Sequence, residues 1–205
     1  MVDLSMNSSS PTSTPNREFA IDTLADAVRH GANMLITGYA SSGKSSLLCA
    51  LAAHVPHSER VIVIDKTRTV TVLGGDVATV RRVPEDGERC VVQWALETYP
   101  DRLIVGDIRD SEVAAFVRAH SAGRSGGMAS IPGASARGAL DRIEAVMVAA
   151  SVLNDYRDLP DIRMAISSCY SYVIHLRREG TRGYVSEVLA IQGFKDGDYV
   201  LKRVF

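Results

Sequence analysis

The sequence predicts an α/β protein with a mostly parallel sheet, helices on both faces and an antiparallel tail at one edge. Three observations carry this. Short apolar, β-branched runs alternate with helically spaced segments over the first two thirds of the chain. A glycine-rich loop joins the first such run to the helix after it. The last third holds strand-like runs separated by the turns "EGTRG" and "KDGD".

The elements follow in order. "MVDLSMNSSSPTSTPN" is rich in Ser, Thr, Pro and Asn and reads as a disordered leader over 1–16. "REFAIDTLADAVRHG" carries Phe19, Ile21, Leu24, Ala27 and Val28 at helical spacing, with Gly31 as its stop. "NMLITG" is a short buried-type strand, and "KSSLLCALAAHV" a helix. "RVIVID" is a second strand, and "VATVRRV" a third. "GERCVVQWALETY" reads as a helix that buries Trp94, and "DRLIVGD" as a strand ending in an acid. "DSEVAAFVRAH" opens on an Asp/Ser cap. "SAGRSGG" leads into the strand "MASI". "SARGALDRIEAVMVAASVL", opened by Ser135, is the longest helix, and "DIRMAISSCY" is a further one. "YVIHLRR", "GYVSEVLAIQ" and "YVLKRVF" form the closing meander.

The chain has 205 residues, 46% hydrophobic and 23% charged, which suits one globular domain over 17–205. A formal net charge of -1 argues against bulk attraction to nucleic acid, though not against a local basic patch. Cys49, Cys90 and Cys169 stand far apart, without the spacing of a zinc site or a disulfide frame. The longest apolar run, "AVMVAASVL", falls short of the ~18 residues of a membrane span. The start of the chain lacks the basic and apolar regions of a signal peptide. These features predict a reduced, cytoplasmic protein.

Gly38-Tyr39-Ala40-Ser41-Ser42-Gly43-Lys44-Ser45 fits G-x-x-x-x-G-K-[ST]. Gly38 and Gly43 allow the main chain to bend around an anion. The amides that follow, through Ser46, point inward at the positive end of a helix. Lys44 reaches for the β- and γ-phosphates, and the Ser45 hydroxyl for Mg²⁺. A chance match would arise in roughly one chain of this length in a hundred, and the required strand and helix flank the loop.

That loop, joined to "RVIVIDKTRTV", "YPDRLIVGDIRDSEVAAFVRA" and "SARGALDRIE", resembles the type II and type IV secretion ATPases, which include the pilus extension and retraction motors. The likeness runs from Arg17 to Phe205, the family's C-terminal RecA-like motor domain, and the leader is not expected to supply the family's N-terminal domain. "PDRLIVGDIRDSEVA" is its most specific part, matching a Gly-acid-x-Arg turn and a glutamate at Glu112. The resemblance implies ATP and Mg²⁺ as ligands and a homo-oligomeric, usually hexameric, ring. It further implies work on membrane-embedded secretion or pilus machinery, or on DNA, at the inner face of the membrane. Lys44, Asp65 and Asp107 would be catalytic, with Ser45 and Asp107 serving the metal. A viral or conjugative DNA-translocating packaging ATPase, and a subunit that binds nucleotide for assembly without hydrolysing it, are the competing readings.

The departures fall on the chemistry. Where the family has Glu-Asp-x-x-Glu, this chain has Asp65-Lys66-Thr67-Arg68-Thr69. Gly106-Asp107 stands for Gly-Glu, and Glu97 and Tyr99 occupy positions that often carry arginines. Arg124 and Pro132 fill the places of the two motif histidines. Arg109, Arg124 and Arg137 are candidate substitute cations. Arg81 and Arg82 fit a phosphate contact across a subunit boundary or a solvated edge strand. His30, His54, His57 and His175 read as surface or cap histidines, Arg142 as an ion-pair partner of Glu144 or another helix acid, and "RREGTR" as a solvated hairpin tip.

Overall fold

The computed structural model describes residues 14–66, 69–72, 75–80, 90–151 and 156–205. Residues 1–13 of the expected leader, Arg81 and Arg82, and Thr67 and Arg68 of the acidic-motif stretch lie outside these. Helix α1 (Thr14–Arg29) takes in Thr14 to Asn16 and ends where Gly31 adopts φ 77°. The strands are β1 (Met34–Gly38), β2 (Arg60–Ile64), β3 (Asp76–Val80), β4 (Arg102–Val105), β5 (Gly127–Ile131), β6 (Tyr172–Glu179), β7 (Arg182–Lys195) and β8 (Asp198–Arg203). The remaining helices are α2 (Lys44–Ala52), α3 (Val91–Glu97), α4 (Asp110–Ser121), α5 (Ala136–Ser151) and α6 (Leu159–Cys169).

The strands form one sheet in the order β3-β2-β4-β5-β1-β6-β7-β8. All neighbours from β3 to β6 pair in parallel, and β6-β7-β8 are antiparallel. The α/β expectation and the edge meander therefore hold. Because parallel strands are covered on both faces, they read as continuous apolar runs. Alternate residues serve opposite layers: Leu35, Ile62, Ile64, Leu103 and Val105 pack with α4, α5 and α6, whereas Met34, Ile36, Val61, Val63 and Ile104 pack with α1 and α2.

Two helix starts differ from or refine the reading. Ser135 Oγ accepts the Gly138 amide and caps α5 as expected, although α5 and α1 are equally long at 16 residues. Helix α4 begins at Asp110 with Arg109 in the cap position, and Glu112 Oε2 reaches back to accept the Arg109 amide. Trp94 is exposed, not core. At about 100° per residue it lies roughly a quarter turn from the stripe of Val91, Val92 and Ala95 that α3 buries.

The topology decides what can meet. One strand, β5, separates β1 from β4, so the loop after β1 and the acid after β4 open onto the same carboxyl-terminal edge, about 10 Å apart by strand spacing. Arg124 and Pro132 flank opposite ends of β5. The strand's five residues put roughly 17 Å between those ends.

Candidate nucleotide site

The phosphate loop leaves β1 at Gly38, whose φ is 156°, and enters α2 through Gly43 at φ 98°. Ser41 also adopts the left-handed region, at φ 59°, and the Ser42 amide closes a tight turn onto the Tyr39 carbonyl at 3.2 Å. Tyr39, Ala40 and Ser41 are exposed and Ser42 is buried. The amides of Lys44, Ser45 and Ser46 open the first turn of α2 and have no acceptor within the helix. They are a donor set suited to an anion.

Lys44 folds back over its own loop. Its Nζ donates to the Gly38 and Tyr39 carbonyls, each at 2.9 Å. Burial pushes this ammonium below the ordinary lysine range, and the Asp107 carboxylate pulls against the shift. Lys44 and Asp107 therefore share one field across β5. Asp107 is half exposed, its Oδ2 lies 3.5 Å from Arg109 Nη2, and its amide donates to Ser130 Oγ at 2.9 Å. Its φ of 55° supplies a local reason for aspartate where glutamate is usual, because Asp tolerates the left-handed region better.

Asp65 is placed differently. It is 1% exposed, and its Oδ2 accepts the amides of Thr69 at 2.6 Å and Val70 at 2.7 Å. The carboxylate that the sequence nominated for chemistry holds a loop. That loop carries Thr69, whose Oγ1 bonds Ser45 Oγ at 2.9 Å, onto the hydroxyl assigned to Mg²⁺. Cys49 reinforces it, its Sγ accepting the Thr71 amide at 3.2 Å. Lys66 turns away to pair with Glu112 at 2.7 Å.

Of the three candidate substitute cations, Arg109 is the one paired with Asp107. Arg124 sits at the amino-terminal end of β5, over the Tyr99 ring at 5.7 Å. Arg137 is committed to Asp141 at 3.0 Å and Asp198 at 3.1 Å, with its guanidinium over Tyr199. Arg142 is exposed, and Glu144 pairs with Arg163 at 3.1 Å. His175 is buried, not superficial, and stands in register between Thr37 and Glu187. Three features escaped the sequence reading: the Glu112 pair with Lys66, the Ser130 hydroxyl under Asp107, and Gly183 against Ser42. The last had a signal, since a strand glycine that no turn requires marks a close approach of main chain.

Beside Arg124 a groove of about 240 Å³ is lined by Leu96, Pro100, Asp101 and His120 among others. The His120 Nδ1 donates to the Phe116 carbonyl at 2.7 Å, and burial lowers its pKa to about 4. Among the described residues no helix is long and apolar enough to cross a membrane.

Comparison with known proteins agrees with this geometry. The family model described as type II/IV secretion system protein matches residues 6–180. The conjugal transfer protein TrbB of Rhizobium radiobacter is 24% identical over 191 residues, covering 92% of this chain and 57% of TrbB. The type IV secretion system protein PtlH of Bordetella pertussis is 27% identical over 186 residues, covering 86% of this chain and 54% of PtlH. The crystal structure of the VirB11 ATPase from Brucella suis superposes with a TM-score of 0.74 at 20% identity, over 84% of this chain and 52% of that one. The fold is thus the RecA-like core seen in the VirB11 ATPase, and the chain spans about half the length of the curated relatives it matches. With a family model matched over most of its length, the chain belongs to the type II/IV secretion system protein family.

Proposed function

We propose that this chain binds Mg·ATP at the Gly38–Ser46 loop and hydrolyses it, as a subunit of a ring-forming motor in a secretion, pilus or conjugation machine. The observation that carries the reading is the phosphate loop itself, with positive φ at Gly38, Ser41 and Gly43, free first-turn amides and Lys44 in the field of Asp107. The loop amides would hold the phosphate tail, and Lys44 would exchange its two carbonyl partners for phosphate oxygens. Ser45 and Asp107 fit an Mg²⁺ that takes few protein ligands and keeps water. When bound, the metal neutralises charge on the terminal phosphates. Asp107 is left to accept a proton or orient water, because Asp65 is engaged by main-chain amides. Arg109 is the cation in position to steady developing charge.

The VirB11 ATPase among the structural relatives supports ATP as ligand, and the secretion-system family supports work in such a machine; a homo-oligomeric (hexameric) ring docking on membrane-embedded machinery from the cytoplasmic side completes the proposal. The conjugal-transfer relatives also support DNA as the transported substrate. Titration calorimetry tests the core of the proposal. Purified protein should bind Mg·ATP, and Lys44→Ala should lose it; undetectable binding by the wild type would end the reading. Turnover that rises with added DNA would favour the DNA-moving branch.

A second reading, binding without hydrolysis, rests on Thr69 and Pro132 standing where a base and a histidine are usual in the family. Turnover by concentrated protein that Asp107→Ala abolishes excludes it.

A further inference from the structure

The β6–β7 hairpin continues past the end of β1 and lies along the phosphate loop. β1 and β6 pair as far as Gly38 opposite Leu176, after which Arg177, Arg178 and Glu179 extend β6 and β7 returns from Arg182. Gly183, paired with Arg178, then meets the loop. A Cβ added there would fall inside van der Waals contact of the Ser42 carbonyl oxygen, 2.9 Å from the Ser42 carbonyl carbon and 3.6 Å from Gly43 Cα. All three atoms are main chain, which cannot rotate out of the way as a side chain can. At the other end of the loop, a Cβ on Gly38 would stand 2.6 Å from the Leu176 carbonyl oxygen. The hairpin main chain therefore touches both ends of the cradle.

Gly183 has no turn to make. The left-handed turn residue of this hairpin is Gly180, at φ 58°, and Gly183 lies outside the positive-φ set. Its missing side chain serves the approach alone. Ser42, on the receiving side, is 1% exposed, and its Oγ has no hydrogen-bond partner. The peptide is pinned by packing, so the strand behind it sets where it sits.

We propose that Gly183 is a positioning residue for the phosphate loop, and that the β6–β7 hairpin is thereby part of the polyphosphate site. This rests on the reading of the loop as a nucleotide cradle. The β7 main chain presses on the Ser42–Gly43 peptide and so aims the Gly43, Lys44 and Ser45 amides. A methyl group at position 183 displaces that peptide by on the order of 1 Å, enough to spoil a converging donor set.

The test uses the full chain, with magnesium tripolyphosphate and Mg·ATP as probes in titration calorimetry. Gly183→Ala should weaken both about tenfold or more, in the same ratio, because the loop grips the phosphate tail and not the base. Its thermal transition should remain cooperative. Wild-type affinity in Gly183→Ala would overturn the inference while leaving the nucleotide reading intact. Loss of ATP with tripolyphosphate retained would overturn it too. Wild-type protein that binds neither probe would sink the nucleotide reading itself, a separable result. If Gly183→Ala does not fold, hydrogen exchange on the wild type decides. Tripolyphosphate should slow exchange at Gly183 and Tyr184 together with the amides of residues 42–45. Protection of the loop with an unchanged hairpin refutes the coupling.

Discussion

Replacing Asp65 separates a loop-holding carboxylate from a chemical one. The carboxylate is 1% exposed and accepts two main-chain amides, at 2.6 and 2.7 Å. Hydrogen bonds to a charged group contribute about 1.5–3 kcal/mol each. Asp65→Ala removes both and leaves the buried Val70 amide without its acceptor, so the expected loss is about 3–5 kcal/mol. For a domain of this size each kcal/mol lowers Tm by about 2–4 °C, giving a fall on the order of 10 °C. Asp65→Asn keeps an acceptor oxygen with two lone pairs and should lose only about 1–2 kcal/mol. Differential scanning calorimetry reads the stabilities, and a phosphate-release assay reads turnover on the same samples. A loop-holder predicts that Asn retains most turnover and that Ala loses turnover along with stability. If both variants melt like the wild type and both are inactive, Asp65 is a base or metal carboxylate and the argument fails.

Two further outcomes follow from the same contacts. Thr69→Ala removes the hydroxyl on Ser45, a bond of about 1 kcal/mol, and should raise the Mg²⁺ concentration needed for half-maximal ATP binding roughly fivefold; an unchanged Mg²⁺ dependence counts against the contact. His120, lowered from 6.5 to about 4, binds its proton more readily in the unfolded chain, so its stabilising effect is full above pH 6.5 and fades as pH falls towards 4. Between pH 8 and pH 5 this amounts to about 2 kcal/mol, and His120→Gln should flatten that part of the denaturant-midpoint profile; a parallel profile in the variant would show that another group carries it.

Much of this molecule was legible one segment at a time. Strand-like "NMLITG" against helical "SSLLCAL" is a difference of apolar period, carried by neighbouring residues. The bend at Gly38 and Gly43 and the Ser135 cap are likewise local, because torsional freedom and a side chain's reach to an amide three residues on depend on nearby chain alone. The order of motifs sufficed to place the chain in its family.

What the sequence could not contain is which distant group each polar atom would meet. Asp65 reads as catalytic from its strand-end position alone, and only the folded chain shows its oxygen accepting the amides of Thr69 and Val70. Arg124 and Pro132 look like neighbours in a motif, yet β5 stands between them. Gly183 lies far along the chain from Ser42 and touches it only because β6 pairs beside β1. Periodicity, caps and the phosphate loop were therefore set by the order of residues. The assignment of carboxylates, cations and close contacts was set by tertiary packing, since a buried charge or a tight approach takes its meaning from partners that only the assembled sheet brings within 3 Å or so.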